Sequence, residues 1–266
     1  MTSLVGRRIA VLSPHLDDGV FSLGASIARA TRRGAQVQVV TVFANDTRSD
    51  RPASPFDAGC GFRTEGEAAA ARREEDGRAC DLVGADPVWL TFGDEEYGRP
   101  PADDVWTALA QTLASADAVV CPGFPLYHPD HAWLTKLVAR RLESSTRLGL
   151  YVEQPYASWR LIGRGRRTWT LPGLTLRRGV INLLRILART GEGRSLQRPT
   201  LPEDAARVVG DVRWGVSRTA VRDWLAKQRA VQAYPSQLRT FGPLVGTRMA
   251  LYEFAWGGEG LGWVRR

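Results

Sequence analysis

The three histidines of this chain fall in two short motifs, Pro14-His15-Leu16-Asp17-Asp18 and His128-Pro129-Asp130-His131. In both motifs acidic residues stand within three positions of the imidazoles, and each motif follows an apolar run that is typical of a strand. Zinc accepts imidazole and carboxylate donors, and a catalytic zinc typically has three protein ligands with one position left for water. The two motifs therefore predict a metal-dependent catalytic site.

Three of these side chains are candidates for metal ligands. His15 lies three positions before Asp18, so both can reach one ion across a turn, and His131 can supply a third ligand from a neighbouring loop. We expect one zinc ion per chain at these three residues. Zinc in such a site polarises a carbonyl group and lowers the pKa of water to about 7.

The remaining polar members of the motifs are candidates for acid–base chemistry. Asp17 and Asp18 point in different directions because consecutive residues at a strand end face opposite sides, so Asp17 is expected to act as the general base. His128 is expected to stabilise the oxyanion or to protonate the leaving amine. Asp130 is expected to favour the charged form of His128 through a hydrogen bond.

A purely structural interpretation competes with this one. An aspartate that follows a strand commonly caps the next helix, because its carboxylate accepts hydrogen bonds from the first free N–H groups. The presence of two motifs at comparable strand ends, which together account for every histidine, favours the metal site.

The elements that must position these motifs alternate between strand and helix. Apolar or β-branched runs predict strands at residues 8–13, 36–43, 87–92, 118–121 and 148–153. Helical periodicity predicts helices at residues 19–33, 65–83, 103–114 and 131–143. This order predicts an α/β fold with a Rossmann-like, mostly parallel sheet and helices on both faces. Ligands bind beyond the carboxyl ends of such strands, where both motifs lie.

The rest of the chain is expected to form a C-terminal extension packed on the same domain, so that residues 1–266 make one domain. Residues 220–234 predict a helix and residues 248–255 a final strand. Residues 180–187 predict an amphipathic helix, which would cover the sheet or the site; contact with a membrane surface is the less favoured alternative.

Composition narrows the range of partners. The net charge is +8 and many arginines lie between Arg160 and Arg207, but no nucleic-acid reader motif accompanies them. A basic rim for a phosphorylated or lipid-linked substrate is therefore preferred to nucleic-acid binding. The three cysteines lack CxxC spacing, and neither a secretory leader nor an apolar run of membrane-spanning length is recognised, so a reducing cytoplasm is the expected location. Oligomeric state stays open.

The two motifs resemble those of the PIG-L/LmbE-like zinc-dependent N-deacetylases, whose usual patterns are His-Pro-Asp-Asp-Glu and His-x-Asp-His. Two further stretches are similar to family signatures: Arg72-Arg73-Glu74-Glu75 with Ala79 and Gly84, and Lys227, Ala230, Tyr234, Ser236 and Gln237. The resemblance runs from Pro14 to Gln237 and implies removal of an acyl group from an N-acetylglucosaminyl compound.

Carried over residue by residue, the resemblance implies that His15, Asp18 and His131 are the metal ligands. It also implies that Asp17 is the base and His128 the electrophilic or acid group. It also makes Arg72 and Asp94 candidates for sugar contacts. Leu16 stands where the family has proline and Gly19 where it has glutamate, and neither change removes a ligand. Residues 159–202 have no counterpart in the family pattern, so this basic insertion or lid is expected to decide specificity.

The predicted function is hydrolysis of the N-acetyl amide of an amino-sugar conjugate, with a small molecule or glycoconjugate as the substrate. One alternative is an amidase that acts on a larger acyl group or sugar conjugate with the same metal site. Another is a non-catalytic sugar- or nucleotide-binding module on the same sheet. The module hypothesis predicts loss of a ligand or of the base, and neither is lost; a phosphate-binding glycine fingerprint is also missing from the sequence.

Overall fold

The structure is a computed structural model that describes residues 2–162, 199–242 and 244–265. Its strands in these ranges are β1 (Arg8–Ser13), β2 (Gln36–Thr41), β3 (Asp86–Trp89), β4 (Ala118–Phe124), β5 (Arg147–Val152), β6 (Val212–Ser217) and β7 (Glu259–Val264). They form one sheet in the order β3-β2-β1-β4-β5-β7-β6. Strands β1 to β5 pair in parallel, and β7 pairs antiparallel with β5 and β6. The predicted α/β fold with a mostly parallel sheet is confirmed.

Helices connect the strands in the order that the sequence predicts. Within the described ranges they are α1 (Asp18–Arg32), α2 (Pro55–Gly59), α3 (Glu65–Val83), α4 (Ala102–Leu113), α5 (Pro129–Arg141), α6 (Tyr156–Ile162), α7 (Glu203–Val209), α8 (Val221–Gln232), α9 (Pro235–Phe241) and α10 (Val245–Trp256). The predicted bounds of the elements up to β5 differ from the observed ones by at most three residues. Inside the predicted loop after β2, residues 55–59 form the short helix α2.

Helix α3 shows why its ends were predictable from local chemistry. The Thr64 hydroxyl accepts a hydrogen bond from the backbone N–H of Glu67 at 3.1 Å, which satisfies one of the free donors at the helix start. Gly84 ends the helix with a φ of 73°, a left-handed conformation that glycine adopts without steric cost.

The C-terminal part corrects one prediction. Residues 248–255, predicted as a strand, belong to helix α10, and the place beside β5 is taken by β7. Strand β7 escapes sequence prediction because glycines interrupt its apolar pattern. A Cβ added to Gly260 would lie 2.3 Å from Val152, and one added to Gly262 would lie 2.9 Å from Trp214, so close packing of neighbouring strands requires glycine there.

Helices cover both faces of the sheet, as strand periodicity requires. Ile9 and Val11 of β1 face the layer that contains α1, α3, α8 and α10, whereas Ala10 and Leu12 face the layer that contains α4, α5 and α7. All four side chains are buried. The C-terminal helices α8 and α10 thus pack on the same core as α1, which confirms the expected extension.

Two sequence predictions lie outside the described residues. These are the amphipathic helix at residues 180–187 and nearly all of the basic insertion at residues 159–202. Among the helices that the structure does describe, none has the length and apolar character needed to cross a bilayer.

Candidate active site

Both histidine motifs lie at the carboxyl ends of the adjacent parallel strands β1 and β4. The first motif connects β1 to α1, and the second connects β4 to α5, with His128 as the N-cap of α5. The ring centroids of His15 and His128 are 4.8 Å apart. The fold therefore brings together two motifs that are more than a hundred residues apart in the sequence.

Three donor atoms from the two motifs converge on one point. Asp18 Oδ2 lies 3.3 Å from His15 Nδ1 and 3.2 Å from His131 Nε2. The two imidazole nitrogens, His15 Nδ1 and His131 Nε2, are 3.3 Å apart. Tetrahedral zinc with ligand distances of about 2.0–2.1 Å would separate its donors by about 3.3–3.4 Å. Two imidazoles and one carboxylate are thus spaced to hold a divalent ion.

The second nitrogen of each of these two rings is held by a further carboxylate. His131 Nδ1 lies 2.5 Å from Glu153 Oε2, and His15 Nε2 lies 3.2 Å from Asp130 Oδ2. A carboxylate partner fixes the ring orientation and places the proton on the outer nitrogen, so the inner nitrogen is free to ligate. The same arrangement on both rings is typical of metal-binding histidines.

Sequence reasoning did not assign a role to Glu153. Its carboxylate is buried and also accepts a hydrogen bond from the backbone N–H of Leu126 at 2.7 Å, in the loop that leads to the second motif. The available signal was positional: Glu153 follows the apolar run of β5 directly, at the same edge of the sheet as the histidine motifs.

The buried carboxylates control the charge of the two imidazoles. Burial favours neutral imidazole, but Asp18 and Glu153 outweigh it and raise the pKa of His131 to about 9. Burial also opposes the charged form of His15, yet the carboxylates of Asp130 and Asp18 raise its pKa well above the usual value. Burial of Asp18 is outweighed by His131 and His15, which hold its pKa below the ordinary range. The cluster attracts positive charge, either as protons or as a metal ion that displaces them.

His128 completes a second, looser grouping. Ligand atoms of His15, His128 and His131 all lie within 4.8 Å of one another, so three imidazoles are a further arrangement that could hold an ion. The set with Asp18 is tighter, and His128 Nδ1 is already engaged because it accepts a hydrogen bond from the backbone N–H of Asp130 at 3.3 Å. Burial, together with the two neighbouring imidazoles, lowers the pKa of His128 to about 4.

Asp130 does not act on His128 in the predicted way. The His128 Nδ1–Asp130 Oδ2 distance is 3.6 Å, too long for a hydrogen bond, and His128 favours its neutral form. The carboxylate instead faces His15 and accepts hydrogen bonds from Arg99, with Arg99 Nε at 2.8 Å from Asp130 Oδ1. Arg99, which sequence reasoning missed, stacks its guanidinium 5.0 Å from the Trp133 ring centroid.

Asp17 lies beside the donor cluster, and its carboxylate is not one of the three converging donors. Its side chain is buried and lines the pocket next to the cluster. Burial and the adjacent Asp18 carboxylate raise the pKa of Asp17 to about 8. A carboxylate in this environment has a higher proton affinity than one in water.

A pocket of about 530 Å³ opens in front of these residues. Its lining combines aromatic rings, carboxylates and two carboxamides: Phe43, Phe56, Tyr156, Phe241, Asp17, Asp18, Asp94, Glu95, Glu96, Asp130, Asn45 and Gln237. Aromatic faces with scattered polar groups suit a sugar ring, which presents apolar C–H faces and hydroxyl edges.

Comparison with known proteins identifies the family. Residues 10–142 match the PIG-L family, described as GlcNAc-PI de-N-acetylase. The chain belongs to the PIG-L family. No curated protein matches the chain.

Solved structures extend this relationship over nearly the whole PIG-L chain. The A40926 pseudoaglycone deacetylase Dbv21 has 26% sequence identity and a TM-score of 0.69, with 97% of this chain and 96% of that chain covered. A deacetylase of the teicoplanin biosynthesis pathway has 23% identity and the same TM-score, with 96% of each chain covered. The zinc-inhibited form of teicoplanin deacetylase Orf2 has 21% identity and a TM-score of 0.67, with 96% of this chain and 97% of that chain covered. The last two structures show that this chain shares their fold.

The two candidates for sugar contacts, Arg72 and Asp94, both line the pocket, but each is also held by a neighbouring protein group. The Arg72 guanidinium lies 2.5 Å from Asp57 Oδ1 and 5.1 Å from the Phe56 ring centroid. Asp94 Oδ1 accepts a backbone N–H from Tyr97 at 3.1 Å, and burial raises the pKa of this carboxylate. Both residues therefore shape the wall of the pocket, and a sugar contact by either one stays a prediction.

Gly19, which stands where the PIG-L pattern has glutamate, lies in a tightly packed position. A Cβ at this position would lie 3.3 Å from Val39 Cγ1, tighter than most packed contacts. The Gly19 N–H donates to the Ser13 hydroxyl at 2.8 Å, and this hydroxyl donates to the His15 carbonyl oxygen at 2.6 Å. Hydrogen bonds of the backbone therefore hold the first motif in place of a side chain at position 19.

Proposed function

We propose that this chain is a zinc-dependent N-deacetylase that hydrolyses the N-acetyl amide of an amino-sugar conjugate. The observation that carries the proposal is the donor triangle of His15, Asp18 and His131, whose sides are 3.2–3.3 Å. It stands beside a buried carboxylate and a sugar-sized pocket in a member of a de-N-acetylase family. The same donors, two nitrogens and one oxygen, are typical of catalytic zinc.

The bound ion would be held by these three side chains, one per chain. When bound, it would supply Lewis acidity, polarising the acyl oxygen and favouring deprotonation of water. Glu153 and Asp130 would keep the two imidazoles oriented, because each holds the outer ring nitrogen of one ligand.

Asp17 is proposed as the general base. Water adds its oxygen to the acyl carbon, and Asp17 accepts the proton that this water releases. When the C–N bond breaks, the same carboxyl group gives this proton to the departing nitrogen and is regenerated as a carboxylate. The products are acetic acid and the amine, and the remaining acid proton passes to the amine or to solvent, which leaves acetate. The raised proton affinity that burial gives Asp17 supports both transfers.

His128 is proposed to stabilise the oxyanion. Because its Nδ1 accepts the Asp130 N–H, the proton of the neutral ring stands on Nε2, which is therefore a donor. A neutral donor suits the negative charge that develops on the acyl oxygen. Of the two roles that the sequence left open for His128, this one agrees better with the hydrogen-bond geometry.

We infer a bulky glycoconjugate as the substrate class. Dbv21, at 26% identity over 97% of this chain, is named as a deacetylase of an antibiotic pseudoaglycone. The 530 Å³ pocket has room for one acylated sugar, so the rest of such a conjugate would stay outside it. An amidase for a longer acyl chain is the alternative within the same chemistry, and acyl groups of increasing length would discriminate the two.

The test combines metal analysis with product release. Purified wild-type protein should contain about one zinc per chain and release acetate from N-acetylglucosamine conjugates. His131→Ala should lose most of the metal and the activity, whereas Glu74→Gln, on an exposed part of α3, should keep both. Full metal content in His131→Ala would remove His131 from the ligand set, and a metal-loaded wild type that releases no acyl group from any amino-sugar conjugate would contradict the function.

A further inference from the structure

Asn45 is a buried pocket residue to which neither the sequence motifs nor the proposed chemistry gives a role. It lies just beyond the carboxyl end of β2, the strand next to β1, and lines the same pocket as Asp17. Its side chain is 6% exposed. Its position therefore places a carboxamide at the edge of the sheet where the reaction is proposed to occur.

The backbone of Asn45 is held in an unfavourable conformation. Its φ is 55°, in the left-handed region that residues other than glycine seldom adopt, although asparagine tolerates it best. Its N–H donates to the Phe92 carbonyl oxygen at 3.1 Å, and its own carbonyl oxygen accepts from the Arg73 guanidinium. These two anchors maintain a conformation that costs free energy, and such conformations concentrate at functional sites.

The side chain of Asn45 is also unsatisfied. Its Oδ1 is buried and has no hydrogen-bond partner among the residues that the structure describes. A buried polar group without a partner destabilises the fold, so a native protein rarely keeps one without a use for it. Because χ2 of asparagine has a broad, roughly two-fold profile, a half-turn of the carboxamide presents either the oxygen or the amide nitrogen to the pocket.

The charge of the pocket selects the kind of group that Asn45 can bind. Six carboxylates line the same cavity, Asp17, Asp18, Asp94, Glu95, Glu96 and Asp130, and the one arginine in the lining, Arg72, is already paired with Asp57. A phosphate or carboxylate on the substrate would be repelled there, whereas a neutral hydroxyl would not. A hydroxyl both donates and accepts, and so matches a carboxamide that can do either.

We propose that Asn45 binds a ring hydroxyl of the acylated sugar and thereby selects the sugar that enters the pocket. The inference rests on the proposed function for the identity of the sugar. It assigns the neutral sugar ring to the inner pocket, so any anionic part of the conjugate lies outside.

The test pairs a protein variant with modified sugars. Asn45→Gly removes the carboxamide and relieves the left-handed φ, so the fold should be as heat-resistant as the wild type. The probes are N-acetylglucosamine and its 3-, 4- and 6-deoxy analogues, measured for acetate release and, by calorimetry, for binding. Asn45→Asp, which has the same shape but no amide donor and an added negative charge, is the conservative comparison.

One hydroxyl should be singled out. The wild type should lose on the order of 10-fold in kcat/KM or affinity on one deoxy sugar, the effect of one hydrogen bond. Asn45→Gly should lose a similar factor on the full sugar but nothing further on that deoxy analogue, with unchanged zinc content.

Three outcomes would overturn the inference: equal losses of Asn45→Gly on all four sugars, no loss on any, or no sugar binding by the wild type. Sugar binding with the expected pattern but without acetate release would instead overturn the proposed function and leave the Asn45 contact standing.

Discussion

Asp17 and Asp18 are adjacent in sequence but differ in environment. Asp18 faces two imidazoles, which hold its pKa low, whereas burial and the Asp18 charge raise the pKa of Asp17 to about 8. Two neighbouring carboxylates with opposite shifts are typical of a site in which one holds positive charge and the other carries protons. A third carboxylate, that of Glu153, has another role: it contacts Nδ1 of His131, the ring nitrogen that does not face Asp18.

Asp17→Asn should separate catalysis from metal binding. The amide cannot accept the proton of the attacking water, so kcat should fall on the order of 10²–10⁴-fold. Zinc content, measured by elemental analysis, should stay near the wild-type level, because Asp17 is not among the converging donors. Full activity in a metal-loaded variant would show that another group is the base.

Glu153→Gln should weaken the metal site without changing any ligand. The neutral amide cannot hold the His131 ring in place as a carboxylate does. Loss of the hydrogen-bond partner of a metal-ligating histidine typically costs 10–100-fold in metal affinity. Competition with a chelator measures the zinc Kd. The exposed Glu74→Gln provides the control for the same chemical change. Equal zinc affinity in Glu153→Gln and wild type would mean that His131 needs no such support.

At the scale of elements, the late family signature serves to join helices. The Tyr234 hydroxyl donates to Asp76 Oδ1 at 2.7 Å, and the Ser236 hydroxyl donates to Glu75 Oε2 at 2.6 Å. Both acidic partners belong to α3, the helix that carries the other family-like stretch, which begins at Arg72. The two stretches that resemble the family outside the histidine motifs thus bind each other, and they fix α3 against the C-terminal elements.

A second junction is a buried ionic cluster between α1, α8, α10 and β7. Lys227 is fully buried; its Nζ donates to Glu253 and lies 2.8 Å from Glu259 Oε1. Glu259 also accepts the N–H groups of Ala25 and Ser26 in α1, at 2.9 and 2.7 Å. Two carboxylates share one ammonium group, so the cluster has one negative charge in excess. Burial, with Glu259, raises the pKa of Glu253 to about 7 in spite of Lys227.

This cluster predicts a pH-dependent contribution to stability. Between about pH 4.5 and pH 7, folded Glu253 holds a proton that the unfolded chain has released, so the free energy of unfolding should fall as the pH rises through this window. Glu253→Gln removes this pH dependence, so the stability of the variant relative to wild type should rise across the window by on the order of 3 kcal/mol. Urea unfolding with a chelator present, at half-unit pH steps, measures the difference.

The exposed Glu74→Gln serves as the control, and its stability difference from wild type should be flat over the same pH range. A flat difference for Glu253→Gln as well would show that Glu253 does not take up a proton on folding.

At the scale of the whole molecule, charge is unevenly distributed. The chain has a net charge of +8, yet the pocket beside the donor cluster is lined by carboxylates. Many of the arginines lie between Arg160 and Arg207. A basic segment in a chain whose pocket is acidic would attract an anionic conjugate, and the pocket would receive its neutral sugar.

Replacing Arg166, Arg167, Arg177 and Arg178 with glutamine should therefore raise KM for an anionic conjugate several-fold more than KM for N-acetylglucosamine, with kcat preserved. The expected cause is the loss of electrostatic attraction between these four arginines and the anionic conjugate, and the effect should shrink at high salt. A variant with the same charge change at exposed arginines elsewhere is the control: Arg8, Arg48, Arg63 and Arg78. Equal changes for both substrates would show that the segment does not select them.

The local parts of the fold and site were open to prediction because their causes are local. A short apolar run predicted β1, and a run of strong helix formers that ends before Gly84 predicted α3, both with the correct bounds, because these signals lie within or next to the element itself. The predicted donors converge because His15 and Asp18 share one turn, and His131 follows the adjacent strand. A parallel sheet places the ends of such strands together whatever the details of packing.

What the tertiary structure decided depends on contacts between residues distant in sequence. Glu153 reaches His131, and Arg99 rather than His128 receives the Asp130 carboxylate, because β5 and the loop before α4 happen to meet the second motif there. Residues 248–255 form a helix, and the place beside β5 belongs to β7, whose glycines allow the close approach of Val152 and Trp214. Asn45 belongs to no motif; only the folded chain shows its left-handed backbone and its unpaired carboxamide oxygen at the pocket. Such features have no periodicity or spacing for a sequence to display.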